Sequence, residues 1–346
     1  MAANIISTGL SGSLFGAALL LSGVYSPTVI LSQLDLSDFY MLKVFLTASG
    51  SSAVLIELAR RTNIAPFKPR KASNLNRLHR YDGNVIGGLL LGSGMALTGA
   101  CPGTVLVQVA FGISSGFSVL VGGILGGMMW SRFGHCAKCT RTTASTTNKE
   151  TSNVKKEHAV TIYEFLKISS TMAILIYEII CLSIILTTSY LLPEGHGFQR
   201  LDPILGGLLI GGAQAASLIL THASIGVSTA YESLGKYICW FIGLSLNKPS
   251  TWPSPGPIIF AVGMLVGTWC LSNFLSMSPV MEVTQISVAR ALVGGAALIV
   301  GARTAGGCTS GHGVSGMSTL SKASFVTVGA MFAGGIGLSS LLRLFT

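Results

Sequence analysis

GGLLLGSGMALTGACPG, residues Gly87–Gly103, and GGAALIVGARTAGGCTSG, residues Gly294–Gly311, are two copies of one stretch. A fixed offset of 207 residues places Gly87 on Gly294, Gly88 on Gly295, Gly94 on Gly301, Gly99 on Gly306 and Cys101 on Cys308. Each copy is an apolar, glycine-studded run that ends on a single cysteine followed by a turn. In water, a helix with glycine at this density loses about 1 kcal/mol per glycine relative to alanine. In a membrane the same glycines let backbones approach closely. An apolar half-helix broken at a cysteine, present in both halves, is the pattern expected of a transporter site near the bilayer midplane.

Working outward, composition sets the class. The chain has 346 residues, 50% hydrophobic and 10% charged, with mean hydropathy +0.66. A soluble domain carries about 25% charged residues. With several apolar runs near 20 residues, the chain reads as an all-α, polytopic, multi-pass integral membrane protein of a plasma or inner membrane. The net charge of +10 does not call for nucleic acid. Of 22 Lys and Arg, 13 lie in the loops 60–80 and 132–156, as the positive-inside rule predicts for cytoplasmic loops. No Lys or Arg precedes the first apolar run, so the N-terminus does not read as a cleaved signal. Seven cysteines, mostly inside apolar runs, do not form a disulfide framework.

A first repeat is expected over 1–130. Residues 9–25 form its first span, with Gly12 and Gly16 on a close-packing face, and Ser26-Pro27 breaks it. Met41–Leu58 crosses back, ending on Glu57 beside Arg60 and Arg61 as a solvated pair. The first cysteine stretch follows. A basic cytoplasmic loop spans 131–161, and 162–190 reads as one connecting transmembrane helix. A single crossing between similar halves inserts the second repeat, 204–346, upside down. There Gly207 and Gly211 repeat the spacing of Gly12 and Gly16. The total is roughly nine crossings.

Cys101 and Cys308 are the leading candidates for chemistry, because matched positions outweigh the ordinary reading of cysteine as a small buried residue. A thiol is a soft, weak donor that suits a sulfur atom better than a sugar or amino acid. A sulfur-containing anion is therefore the expected substrate. Arg303, inside the second stretch, is expected to offset its charge or else to cap a neighbouring helix. Gln108, Gln214, Ser228, Glu232 and His312 lie in or beside broken segments. They can bond substrate oxygens, or simply satisfy backbone groups freed by the breaks. Glu178, in the connecting span, is expected to pair within the bundle. Cys181, Cys239 and Cys270 have no repeat partner and read as packing residues. His135-Cys136-x-x-Cys139 with His158 is a weak half of a zinc site, and no metal is assigned to it. No GxxxxGK[ST] occurs, so nucleotide-driven transport by this chain is not expected.

GSGMALTGACPGT (92–104), GARTAGGCTSGHGVSG (301–316) and IGGAQAASLILTHASIGVSTAYESLG (210–235) resemble the YeeE/YedE sulfur-transport family. GVYSPTVILSQ and FLTASG look like the first half of its two-gene members, here fused into one chain. The resemblance implies an hourglass-shaped, inverted-repeat transporter that takes up thiosulfate or a related species. It further implies that the ion passes along cysteines by S–H hydrogen bonding, two of which carry over to Cys101 and Cys308. Thiosulfate-transporting members have a further cysteine at the end of the first span, where this chain reads Leu21-Ser22-Gly23-Val24-Tyr25-Ser26-Pro27. The relay then lacks one step, or the substrate is another sulfur species. The expectation is a membrane transporter that is not an enzyme and needs no cofactor. Its partners would be a small sulfur anion, the bilayer and a soluble sulfur carrier. The rival readings are a membrane sulfurtransferase that relays persulfide to such a carrier, and a sensor built on the Cys136/Cys139 loop.

Overall fold

The computed structural model describes residues 2–62, 69–75, 79–143, 160–191, 201–221, 226–243, 254–277 and 286–345, with backbone alone for 2–4 and 133–143. Among them every regular element is helical. The first half holds α1 (Ala2–Leu21), α2 (Pro27–Leu34), α3 (Tyr40–Arg61), α4 (Asp82–Thr98), α5 (Pro102–Phe111) and α6 (Ser114–Thr143). Then come α7 (Ile162–Leu166) and α8 (Ser170–Leu191). The second half holds α9 (Pro203–Thr221), α10 (Ser228–Phe241), α11 (Gly256–Phe274), α12 (Val288–Ala305), a π-helix (Ser310–Val314), α13 (Ser315–Ser318) and α14 (Lys322–Leu344). Each half is therefore a twofold recurrence of one motif: a long helix, a break, a short helix and a long helix.

Among the described residues, seven helical segments are long and apolar enough to cross a membrane: α3, α4 with α5, α8, α9, α11, α12 through α13, and α14. The apolar part of α1, Ile5–Leu21, is shorter. The protein is a multi-pass membrane protein, as its composition requires.

The repeated stretch forms the central seam. On α4 and α12, Gly87 meets Gly301 and Gly94 meets Gly294, so the helices run antiparallel. Under the 207-residue offset this is one contact made twice, as a two-fold relation demands. A Cβ on Gly87 would stand 2.7 Å from the Gly301 carbonyl oxygen, and one on Gly94 2.9 Å from that of Gly294. Larger residues would force the seam apart. Equivalent helices that cross antiparallel are what make the repeats inverted.

The other main packings obey the same relation. α4 lies along α14 as α12 lies along α6, and α1 lies along α11 as α9 lies along α3. Gly12 and Gly16 indeed form the contact face, against Phe260, Met264 and Thr268 of α11, and Gly207 and Gly211 do the same against α3. All these pairs join one half to the other. The two halves are thus interlocked.

Two elements differ from the sequence reading. α6 continues to Thr143, into the expected loop, while 144–159 and the His158 side lie outside the described residues. The connecting segment 162–190 is two helices, because Lys167 adopts a left-handed conformation (φ 55°) that ends α7. Thr161 and Glu164 cap the start of α7 reciprocally, and Ile162 N donates to Leu320 O at 2.9 Å. α7 is thereby pinned to the start of α14, and only α8 crosses.

Candidate functional site

Both cysteine breaks are built alike. Gly99 (φ 55°) and Gly306 (φ 86°), equivalent under the repeat, each end a helix in the left-handed region that glycine enters without steric cost. Beyond Gly99, Cys101 caps α5: its backbone N–H donates to Thr104 Oγ1 at 2.7 Å, and its sulfur accepts from Thr104 N at 3.4 Å. Beyond Gly306, Cys308 leads into the π-helix, with its sulfur 3.3 Å from Ser310 Oγ. The backbone N–H groups of Ser228 and Gly311 also face that sulfur. Tyr231 donates to Pro102 O at 2.9 Å and stands within electrostatic range of both thiols.

The breaks converge. A cavity of about 60 Å³ is lined by Leu19 and Val24 at the first break, Cys101, Gly103 and Thr104 at the second, and Thr309, Ser310 and Val314 at the fourth. Val227, at the third break, lies against Gly103. α3 closes the cavity with Met41, Val44, Phe45 and Ala48. Its exposed wall is apolar; the polar residues that border it, Thr104, Thr309 and Ser310, turn their hydroxyls to sulfur atoms of Cys101, of Met95 and Met331, and of Cys308. Cys101 is half-buried there, whereas Cys308, one residue behind Thr309, is 1% exposed.

The positive charge beside Cys308 is Arg70, which sequence reading left among the charges of the basic loop. Residues 69–75 fold onto the fourth break. Ser321 Oγ donates to Arg70 O at 2.7 Å, Ser73 Oγ to Thr304 O at 2.6 Å, and Asn84 accepts from Ser73 N at 2.8 Å. So anchored, Arg70 Nη1 donates to Gly306 O at 2.9 Å, and the guanidinium lies against Gly307 and Gly311 and within electrostatic reach of Cys308. Among the described residues it makes no ion pair. Arg303, the residue selected from sequence for this role, is instead held by Glu232 and Thr229 Oγ1. Glu232 also binds Lys236 at 2.7 Å.

The remaining selected residues divide. Gln108 Nε2 donates to Tyr25 O (2.8 Å) and Gly99 O (3.2 Å), which ties the first break to the second. His312 is structural: Nε2 donates to Ala305 O at 3.2 Å and Nδ1 accepts from Ser324 Oγ at 3.1 Å. Both residues thus satisfy groups freed by the breaks. Gln214 accepts from Ser315 at 3.0 Å, and its buried Nε2 has no partner among the described residues. Ser228 contributes its backbone amide. Among the described residues Glu178, expected to pair, makes no ion pair, and its buried Oε1 has no donor. No group of three or more metal-ligating side chains occurs among the described residues. Arg70, Tyr231, Thr309 and Ser310 escaped sequence reading. Thr309 and Ser310 could have been flagged by their adjacency to Cys308, but nothing local marks Arg70.

The chain matches the family described as Sulphur transport over residues 21–337. It is 24% identical over 331 residues to a thiosulfate transporter, TsuA, from Spirochaeta thermophila, covering 93% of this chain and 94% of that one. It is also 28% identical over 149 residues to a probable transporter from Xylella fastidiosa, covering 41% of this chain and 95% of that one, so that relative is about one repeat long. With nearly the whole chain matched, and the repeated breaks at its centre, this protein belongs to the Sulphur transport family.

Proposed function

We propose that the protein carries thiosulfate or a closely related sulfur anion through the membrane, handing it from Cys101 to Cys308 and on to Arg70. The observation that carries this reading is the convergence of the helix breaks on a small, mainly apolar cavity that ends in a thiol. An apolar wall is poor company for a fully hydrated oxyanion. It suits a substrate with one soft sulfur end, which a thiol can address as a weak donor. Oxygens of the same ion meet the spare Gln214 Nε2 and the Arg70 guanidinium. Arg70, unlike Arg303, has charge to offer. Val24 makes the first break apolar, so substrate meets its first thiol at Cys101.

The test is labelled thiosulfate uptake by cells that lack their own importers. Cys101→Ser and Cys308→Ser each replace a soft donor by a hard one of similar shape, and each is expected to reduce uptake at least tenfold in protein still present in the membrane. Parental rates in both variants would refute the thiol pathway. A stable persulfide on either cysteine, found by intact mass, would point to sulfur transfer in place of transport of the intact ion.

A further inference from the structure

We propose that Glu178, in α8, is the proton-coupling group of this transporter. The inference rests on the transport reading and adds the ion that drives it. Ionisable side chains inside a membrane are rare, almost always paired, and mark ion or proton pathways. Glu57 meets Arg60 and Arg61, Glu232 meets Arg303 and Lys236, and Asp35 meets Arg343. Among the described residues Glu178 meets no cation, and its buried Oε1 has no donor.

The carboxyl occupies a notch that Gly50 leaves in α3. A Cβ at Gly50 would stand 2.7 Å from Oε2 and 3.1 Å from Oε1. The titratable groups near it are Tyr177 and Cys181 of its own helix. Facing them, α3 presents Ser49 and Gly50, and Phe325 of α14 stacks edge-on against Tyr177. The charged groups along this face are Lys43 of α3, about two turns from Gly50, and Glu57 with Arg60 and Arg61, which meets α8 at Ser170 and Thr171, about two turns from Glu178.

One turn of α3 links this notch to the substrate path. Ala48 lines the cavity, Ser49 contacts the π-helix, and Gly50 receives the carboxyl. Ser49 Oγ donates to Gly313 O at 3.2 Å and accepts from the Tyr177 hydroxyl at 2.7 Å, while Ser318 Oγ donates to Ser49 O at 2.9 Å. Gly313 belongs to the π-helix that follows Cys308, and such turns recur at functional sites. A neutral acid fits this notch, where Oε1 is buried and meets no donor among the described residues. An ionised one needs water or a cation, so loss of the proton drives α8 and α3 apart and shifts both the cavity wall and the π-helix. The step makes and breaks only an O–H bond: a proton is taken up on the side from which the anion comes and released on the other. An anion moved into a negative-inside cell works against the membrane potential, and a proton carried with it lowers the charge moved.

The experiment uses purified protein in liposomes with labelled thiosulfate and a trapped pH dye. Internal acidification should accompany thiosulfate uptake by the parent, and an inward proton gradient should speed uptake severalfold. Glu178→Gln should retain thiosulfate exchange but lose both responses, and Gly50→Ala, which crowds the notch but keeps the acid, should weaken them. Full proton stimulation in Glu178→Gln, or no proton movement with parental uptake, overturns the proposal. Infrared spectroscopy adds a readout independent of transport: a neutral-carboxyl band in the parent that Glu178→Gln removes. Absence of that band overturns the proposal even without transport. A band in protein that moves no thiosulfate under any gradient would refute the transport reading and leave Glu178 as a protonated acid.

Discussion

Replacing Arg70 by glutamine should abolish most transport while leaving the fold intact, and the structure sets the size of the effect. The backbone of residues 69–75 is held by Ser321, Thr304 and Asn84, none of which uses the guanidinium. Of its five N–H donors, one is spent on Gly306 O. Those left can meet an oxyanion arriving from Cys308 with charge-assisted bonds worth about 1.5–3 kcal/mol each. A net loss of about 2 kcal/mol is roughly 30-fold in kcat/KM. Arg70→Lys keeps the charge without the planar fork and should fall between the two. Arg303→Gln supplies the contrast. Its side chain and that of Glu232 are only 17% and 10% exposed, and breaking a buried pair costs about 3–5 kcal/mol, of which Lys236 recovers part. That variant should lose folded protein first. The assay is the initial rate of thiosulfate uptake at low substrate, normalised to membrane-inserted protein, beside thermal unfolding in detergent. Uptake by Arg70→Gln within twofold of the parent, with a tenfold loss in well-folded Arg303→Gln, would refute the assignment of charge.

Three further outcomes are expected. Because every major helix pairing joins the two halves, residues 1–161 and 162–346 expressed apart should each fail to give a monodisperse membrane protein, while co-expression restores it, as size-exclusion chromatography in detergent would show. Gly94→Ala places a Cβ 2.8 Å from Leu298 N in the α4–α12 seam and should cost about 1–3 kcal/mol, read as a lowered Tm. Small thiol reagents should modify half-buried Cys101 before Cys308, and thiosulfate should protect it, as mass spectrometry of labelled peptides can establish.

How far the sequence could be read depended on the range of the interactions. The membrane class and the inverted repeats were legible because apolar runs, glycine spacing and a 207-residue offset, which also pairs Cys101 with Cys308, are written along the chain. The close-packing role of Gly12, Gly16, Gly207 and Gly211 was legible for the same reason. The division at 162–190 was not, because a left-handed Lys167 is set by the docking of α7 on the turn before α14. Partner choice was not legible either. Arg303 lies among glycines in sequence and Arg70 does not, yet Glu232 claims the first and three glycines surround the second.

The sequence by itself determined which segments enter the bilayer and where they break, since solvation and backbone strain act on each stretch locally. Only the tertiary structure decided which polar groups are spent and which remain available. The Nε2 groups of Gln108 and His312 are taken by backbone carbonyls at the breaks, whereas among the described residues Arg70, Gln214 and Glu178 keep hydrogen-bonding or charge capacity at the groups argued above. Satisfaction of a buried polar group is a property of whatever three-dimensional packing brings within about 3 Å of it, and chain order does not encode that directly.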